Sequence, residues 1–298
     1  MTEKSSERNK VLCLGRIYCD IIFTGLPDMP VLGRERFAEA VTIAAGGGAY
    51  ITAAHLASLG RPSALLARLG TDPLSQSLNP ELEGSGIDLA FVERSHDAGP
   101  QPTVALVKDG ERAFVSRRAG TSRPASLEEA LSAPDIAHLH IAEFATLKDN
   151  PDVIVMAKDC GLTVSLDPSW DDQLIRQDAG FFETCEGVDV FLPNVEEGEA
   201  LTGEKSAEAI LRHLQEHFPL VVLKRGEHGA MASRGTARVS AEALPANVVD
   251  TTGAGDAFNA GFLHSWLGTS DIERSLADGI KAGALSVQSA GGAPPRLL

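Results

Sequence analysis

Basic residues are scarce in this chain: 26 Lys and Arg stand against 41 Asp and Glu, a formal net charge of -15. So negative a surface repels phosphate backbones and anionic headgroups, which excludes nucleic acid and membrane surfaces as expected partners. Aromatic residues are only 5% of the total, which leaves few rings for stacking on bases. The four cysteines, Cys13, Cys19, Cys160 and Cys185, form no C-x-x-C pair, so neither a zinc site nor a disulfide framework is indicated, and a reducing, cytoplasmic setting is expected. No apolar run is long enough to span a bilayer, and Met1 to Lys10 carries no apolar h-region; neither export nor a membrane anchor is expected. Also missing are G-x-x-x-x-G-K-[ST], the H-R-D and D-F-G set, a G-x-S-x-G elbow and a G-x-G-x-x-G opening a helix. P-loop ATPases, hydrolases and dinucleotide dehydrogenases lose support accordingly.

What is present suits a soluble globular protein: 298 residues, 43% hydrophobic and 22% charged, enough for one sizeable core with a small appendage. Val11-Leu12-Cys13-Leu14-Gly15 and Ser63 to Leu69 read as buried strands, with a helix between them that opens at Ala45-Gly46-Gly47-Gly48 and stops at Gly60 and Pro62. Asp72 to Glu83 reads as a helix broken at Pro80. From residue 135 strands and helices alternate: Ile136 to Ile141, Leu162 to Asp167, Asp189 to Pro193, and Leu220 to Lys224 as the last obvious strand, with Asn150-Pro151 opening a helix that runs to Gly161. That alternation predicts an α/β fold, a three-layer α/β/α doubly wound and mostly parallel sheet. Arg36 to Ile43 alternates as a strand with one wet face, and Pro102 to Lys108 with Glu111 to Arg117 reads as a hairpin about Asp109-Gly110, so a separate small sheet is expected.

The most informative stretch is Asp250-Thr251-Thr252-Gly253-Ala254-Gly255-Asp256, between Asn247-Val248-Val249 and the apolar run Ala257 to Leu267. Two glycines flanking an alanine let backbone N–H groups converge, and the helix that follows adds the positive end of its dipole, a site for an anion, phosphate above all. Asp256 at the helix start is expected to stay ionised and to face whatever lies beside the bound anion. The bland alternative is a tight turn with Asp256 as its N-cap. The full string resembles the signature of the ribokinase-like (PfkB) carbohydrate kinases. In chain order, further motifs resemble that family: Gly15 to Asp20 as G-x-x-x-x-D, Gly46-Gly47 before a helix, the hairpin, and Asn194-Val195-Glu196-Glu197 as N-x-x-E.

The resemblance implies transfer of the γ-phosphoryl group of ATP, with Mg²⁺, to a hydroxyl of a small carbohydrate. Asp256 would take the hydroxyl proton while Gly253, Ala254 and Gly255 offer N–H donors. Asp20, Gly46, Gly47 and Glu143 would hold the sugar; Asn194, Lys224, Gly226 and Gly229 the nucleotide side; Glu197 the Mg²⁺ through water; Asp250 and Thr252 a monovalent cation, with K⁺ undecided. Asn194 with Glu197 also reads as a capping box, and Lys224 as a surface lysine. His138 with His140 and His213 with His217 imitate metal-ligand spacing but lack a third ligand. The family comparison further implies a core over 10–16, 46–87 and 121–298, a β lid over 17–45 and 88–120, and a homodimer joined through the lids. A departure bears on the substrate: Ile51 stands where the family commonly has a sugar-binding asparagine. Two other readings stay open, a nucleoside kinase of the same fold and a non-catalytic sugar or nucleotide sensor.

Overall fold

Strand β1 (Lys10–Leu14) is apolar on both sides: Val11 and Cys13 enter one hydrophobic cluster, Leu12 and Leu14 another, and all four are wholly buried. A strand covered on both faces belongs in the middle of a helix-sandwiched sheet, and β1 lies there. The computed structural model describes residues 8–108, 111–171, 175, 180–289 and 291–294. Among them the chain continues through β2 (Tyr18–Thr24), β3 (Ala40–Gly46), β4 (Ser63–Leu69), β5 (Val92–Arg94), β6 (Pro102–Lys108), β7 (Glu111–Ser116), β8 (Ile136–Ile141), β9 (Thr163–Leu166), β10 (Val190–Phe191), β11 (Leu220–Lys224), β12 (Ala230–Arg234) and β13 (Ala237–Ala241). Nine strands form one sheet in the order β13-β12-β11-β10-β9-β8-β1-β4-β5; β2, β3, β6 and β7 form a second in the order β3-β2-β6-β7.

The large sheet is parallel from β5 to β11. From β1 the chain crosses to β4 on one side, and from β8 to β9 on the other, so the winding reverses between β1 and β8. Ligands of open α/β sheets bind at the carboxyl ends flanking such a reversal. Helices Gly48–Ser58, Ala254–Thr269 and Ile272–Ser286 cover one face, and Leu127–Ser132, Phe144–Asp149, Val153–Asp159 and Ala207–Leu214 the other.

Several expectations need correction. Two strands beyond β11 exist: β12 and β13 pair antiparallel, with Arg234 opposite Ala237 across the two-residue loop Gly235-Thr236. The stretch 72–83 is two short helices, Pro73–Gln76 and Asn79–Glu83, and the break precedes Pro80; lacking an N–H, Pro80 is tolerated in the opening turn of the second. Asn150 does not open the helix that follows, Val153–Asp159. It ends the preceding one, Phe144–Asp149, where its buried Nδ2 donates to the Thr146 carbonyl at 2.8 Å. Residues 36–39 are not strand, and β3 starts at Ala40. Part of the segment 88–120 belongs to the large sheet, since β5 pairs with β4 through Ala67 and Val92. The Asp109-Gly110 turn lies outside the described residues, although β6 and β7 pair antiparallel on either side of it.

In the small sheet the cross-strand register aligns Ile43, Ile21, Val104 and Val115 in one row and Val41, Phe23 and Leu106 in the next. Alternation along a strand puts Tyr18, Asp20 and Thr103 on the opposite face. Val41, Ile43 and Val115 are more than half exposed.

Candidate functional site

The helix Ala254–Thr269 begins at Gly253, whose φ of 69° is the left-handed conformation that glycine takes without strain. Asp250 fixes the turn before it: its Oδ1 accepts from the Thr252 N–H at 2.9 Å and the Thr252 hydroxyl at 2.7 Å, and its Oδ2 from the Gly291 N–H at 3.0 Å. Asp256 is the third helical residue, not the N-cap. Consecutive residues of this turn face two different cavities. Thr251, Ala254 and Gly255 line one of about 760 Å³ together with Lys224, Gly226 and Gly229; Thr252, Gly253 and Asp256 line one of about 200 Å³.

The larger cavity meets a buried charge cluster. Lys224, at the end of β11, places its Nζ 2.5 Å from Asp167 Oδ2 and 3.3 Å from Asn259 Oδ1, and Asn259 Nδ2 donates to the same Asp167 oxygen at 2.6 Å. A methyl at Gly255 would lie 3.4 Å from that Nζ, so the ammonium stands over the helix start. Burial opposes the charge on Lys224, but Asp167 and Glu197 outweigh it and raise its pKa. Lys224 is thus no surface lysine. Asn194 and Glu197 do form a capping box, each carboxamide or carboxylate oxygen accepting the other's backbone N–H, at 2.9 and 2.8 Å. Burial, then the nearby Asp167 charge, pushes Glu197 up to about 7.

Asp256 is likewise pushed up to about 7, first by burial and then by Asp167, with Lys224 pulling the other way. Burial thus works against the helix start expected to keep it ionised, and its pKa lies near neutrality instead of in the ordinary carboxylate range. A carboxyl poised near neutrality is better matched to exchanging a proton than one fixed as an anion.

The small cavity sits at the carboxyl ends of β1 and β8. Asp20 lines it from within β2, from which β1 is separated by only three residues. Its carboxylate lies against Gly46, where any side chain would collide with it, and burial followed by Glu81 and Asp250 raises it to about 7. Gly47 has φ 100°, and a Cβ there would run into the Arg16 carbonyl. Glu143 opens the helix Phe144–Asp149; its Oε1 accepts from the Thr146 hydroxyl at 2.8 Å and lies 4.0 Å from Arg16 Nε, and burial raises its pKa. Ile51 completes the wall with no polar atom. His138 and His140 are buried on β8; both ring nitrogens of His138 are met, by Thr163 and Ser165, and Nδ1 of His140 by Ser165, and no cluster of three His, Cys, Asp or Glu able to hold a metal exists among the described residues.

Asp20, Gly47, Ile51, Glu143, Gly253 and Asp256 thus meet in one cavity, and Lys224, Gly226, Gly229, Ala254 and Gly255 in the other. Asn194 and Glu197 stand behind Lys224. Arg16, Tyr18, Thr103, Arg118, Asp167 and Asn259 were missed. Asp167 had a readable signal, an acid just before a proline at the end of a strand; Tyr18 and Thr103 come from strands of the small sheet, Asn259 from a helix interior and Arg16 and Arg118 from loops, and these carry none.

The profile described as pfkB family carbohydrate kinase matches residues 8–297. Among curated proteins, the 2-dehydro-3-deoxygluconokinase of Bacillus subtilis (strain 168) is 32% identical over 257 residues, 80% of this chain and 79% of that protein. Among solved structures, Arabidopsis thaliana ribokinase complexed with ribose and ATP superposes with a TM-score of 0.83 at 24% identity, over 97% of this chain and 96% of that one. A putative ribokinase II of E. coli in complex with ATP and Mg²⁺ does so at 0.78 and 21%, over 95% and 94%.

Proposed function

We propose that this chain, which belongs to the pfkB family of carbohydrate kinases, transfers the γ-phosphoryl group of ATP to a hydroxyl of a monosaccharide held in the small cavity, with Asp256 as the proton acceptor. The observation that carries the reading is the turn 250–256 itself, one wall shared by two cavities, with a near-neutral carboxyl on one side and an ammonium over the helix start on the other. Asp20 and Glu143 orient the sugar so that the reacting hydroxyl lies against Asp256. Lys224 and the first helical N–H groups of Ala254 and Gly255 meet the negative charge of the transferred group, and preorganised donors of this kind are the main contribution a protein makes to phosphoryl transfer. Mg²⁺, carried in with the nucleotide, would neutralise phosphate charge when bound. The residues fit it only indirectly, Glu197 through water, which suits an ion that keeps its own hydration. A K⁺ site finds less in its favour, because both oxygens of the Asp250 carboxylate, which a hard cation would use, already accept N–H and O–H hydrogen bonds.

A cavity of about 200 Å³ is the size of a single sugar ring, which favours a sugar kinase over a nucleoside kinase. A sensor without catalysis would have no need of Asp256 beside intact glycines. Ile51 gives the substrate an apolar edge: a hydroxyl buried there would lack a partner at a cost of ~1–3 kcal/mol. A sugar lacking a hydroxyl at that edge fits better than ribose, and the Bacillus relative named for a 3-deoxy sugar acid points the same way. A coupled ADP-release assay over ribose, fructose, 2-dehydro-3-deoxygluconate and nucleosides tests both levels. Ribose is expected to trail in kcat/KM; a panel led by ribose would remove the Ile51 argument, and no turnover with any sugar would remove the kinase reading.

The apolar rows on the lid face turned away from Asp20 suit a second copy of the chain. A sheet of four strands with one face against water is weakly stable alone, and pairing two such faces relieves it. Light scattering is expected to give twice the 31.4 kDa monomer mass; a monomer at micromolar concentration, or a dimer untouched by Ile43→Lys with Val115→Lys, would count against the lid as the joint.

A further inference from the structure

The segment Gly291-Gly292-Ala293, some forty residues downstream of the turn, presses on that turn and on the substrate helix together. A Cβ on Gly292 would lie 2.5 Å from Ile51 Cδ1 and 3.3 Å from Gly253 Cα, and one on Gly253 would lie 2.6 Å from Gly292 Cα, so the two glycine backbones are in direct contact. Two hydrogen bonds hold the segment in place. Gly291 N–H donates to Asp250 Oδ2 at 3.0 Å, and His55 Nε2 donates to the Gly292 carbonyl at 2.9 Å. Because a carbonyl only accepts, the proton of the His55 ring is on Nε2. Burial lowers the pKa of His55, which favours this neutral form. Ile51 and His55 are one helical turn apart in Gly48–Ser58, so a single helix face supplies both the packing surface and the hydrogen bond.

We propose that His55 is a positioning residue for phosphoryl transfer: by pinning Gly292 it clamps the C-terminal segment onto Gly253 and fixes the donors of the helix start relative to Asp256. This rests on the reading of Gly253 to Gly255 as the anion-binding turn. His55 lines neither ligand cavity, so its loss acts on the geometry of the transition state and leaves substrate binding nearly intact. Misplacement of reacting groups by a fraction of an ångström to 1 Å costs on the order of 10- to 100-fold in rate.

The test compares His55→Phe, which keeps a ring without the donor, with His55→Gln, which keeps an N–H at similar reach. Kinetics use MgATP with 2-dehydro-3-deoxygluconate, or the panel sugar that outperforms it, and hydrogen exchange is followed at the amides of Gly291 and Gly292. His55→Phe is expected to lower kcat by roughly 10- to 100-fold with both KM values within about 3-fold, and to speed exchange at Gly291, while His55→Gln regains most of the turnover. Should His55→Phe fail to fold, His55→Asn, whose shorter amide cannot reach the Gly292 carbonyl, is expected to show the same kcat loss. Unchanged exchange, or faster exchange with kcat within 2-fold of the parent, overturns the clamp. Asp256→Asn measured alongside separates the two levels: if it is inactive and His55→Phe is not, only the clamp falls, whereas near-normal turnover of Asp256→Asn removes the underlying reading.

Discussion

Asp256→Asn is expected to lower kcat by at least ~10²-fold while the fold and ATP binding survive, since the amide keeps the shape of the carboxyl but cannot accept the hydroxyl proton. The pH dependence carries the same assignment. With its pKa pushed up to about 7 by burial and Asp167, Asp256 is the ionised base only above that value, so kcat/KM falls as pH drops through 7. Asp20 and Glu197 are also raised to about 7, so the parent's acid limb is steep. In Asp256→Asn the residual activity keeps a limb shallower by one proton. Initial-rate measurements between pH 5.5 and 9, with total phosphorylated sugar quantified, decide it: turnover within 3-fold of the parent, or an unaltered limb, would reassign the base.

Lys224→Ala is expected to destabilise the protein by about 3–5 kcal/mol, the usual cost of stranding one member of a buried ion pair. Lys224 and Asp167 side chains are 12% and 7% exposed, so solvent does little to screen the pair. Without the ammonium, Asp167, Glu197 and Asp256 form a buried carboxyl cluster left with the Asn259 amide and the Ser169 N–H on Asp167 and the Asn194 N–H on Glu197, and Glu197 and Asp256 lose the cation that holds their pKa values down. Urea unfolding measures the loss, and adding Asp167→Asn to Lys224→Ala is expected to recover more than half of it. A single variant within 1 kcal/mol of the parent would show that the ammonium is not what balances the cluster.

The parts that were legible in the sequence are those where local chemistry and burial agree. β4, β8 and β11 match their expected bounds residue for residue because each is a mostly apolar, buried run with a glycine or a charge at or just past its end: Gly70, Glu143 and Lys224. β12 and β13 escaped notice because alanine, serine and arginine dominate them, and pairing, of β12 with β11 and of β13 with β12, not intrinsic preference, makes them strands. Asn150 satisfies the local rule for opening a helix, yet its burial beside Thr146 and Ser122 gives it more as the closing residue of the previous one. At the site, backbone-driven features such as Gly47, Gly253 and the capping box could be read from spacing. Arg16 could not: its contacts to Gln101, Ala119, Gly120 and Asp149 lie 85 to 133 residues away.

The turn that alternates its residues between two cavities also governs traffic. Because Thr251, Ala254 and Gly255 face one chamber while Thr252, Gly253 and Asp256 face the other, the proposed function gives the nucleotide and the sugar a chamber each, and neither would have to cross the other's to reach its place. Nothing in the partition imposes a queue. Steady-state velocities with both substrates varied are expected to give intersecting lines, with ADP competing only against ATP and the phosphorylated sugar only against the sugar. A strictly ordered pattern, in which one product inhibits uncompetitively, would mean that one ligand builds the other's chamber on arrival.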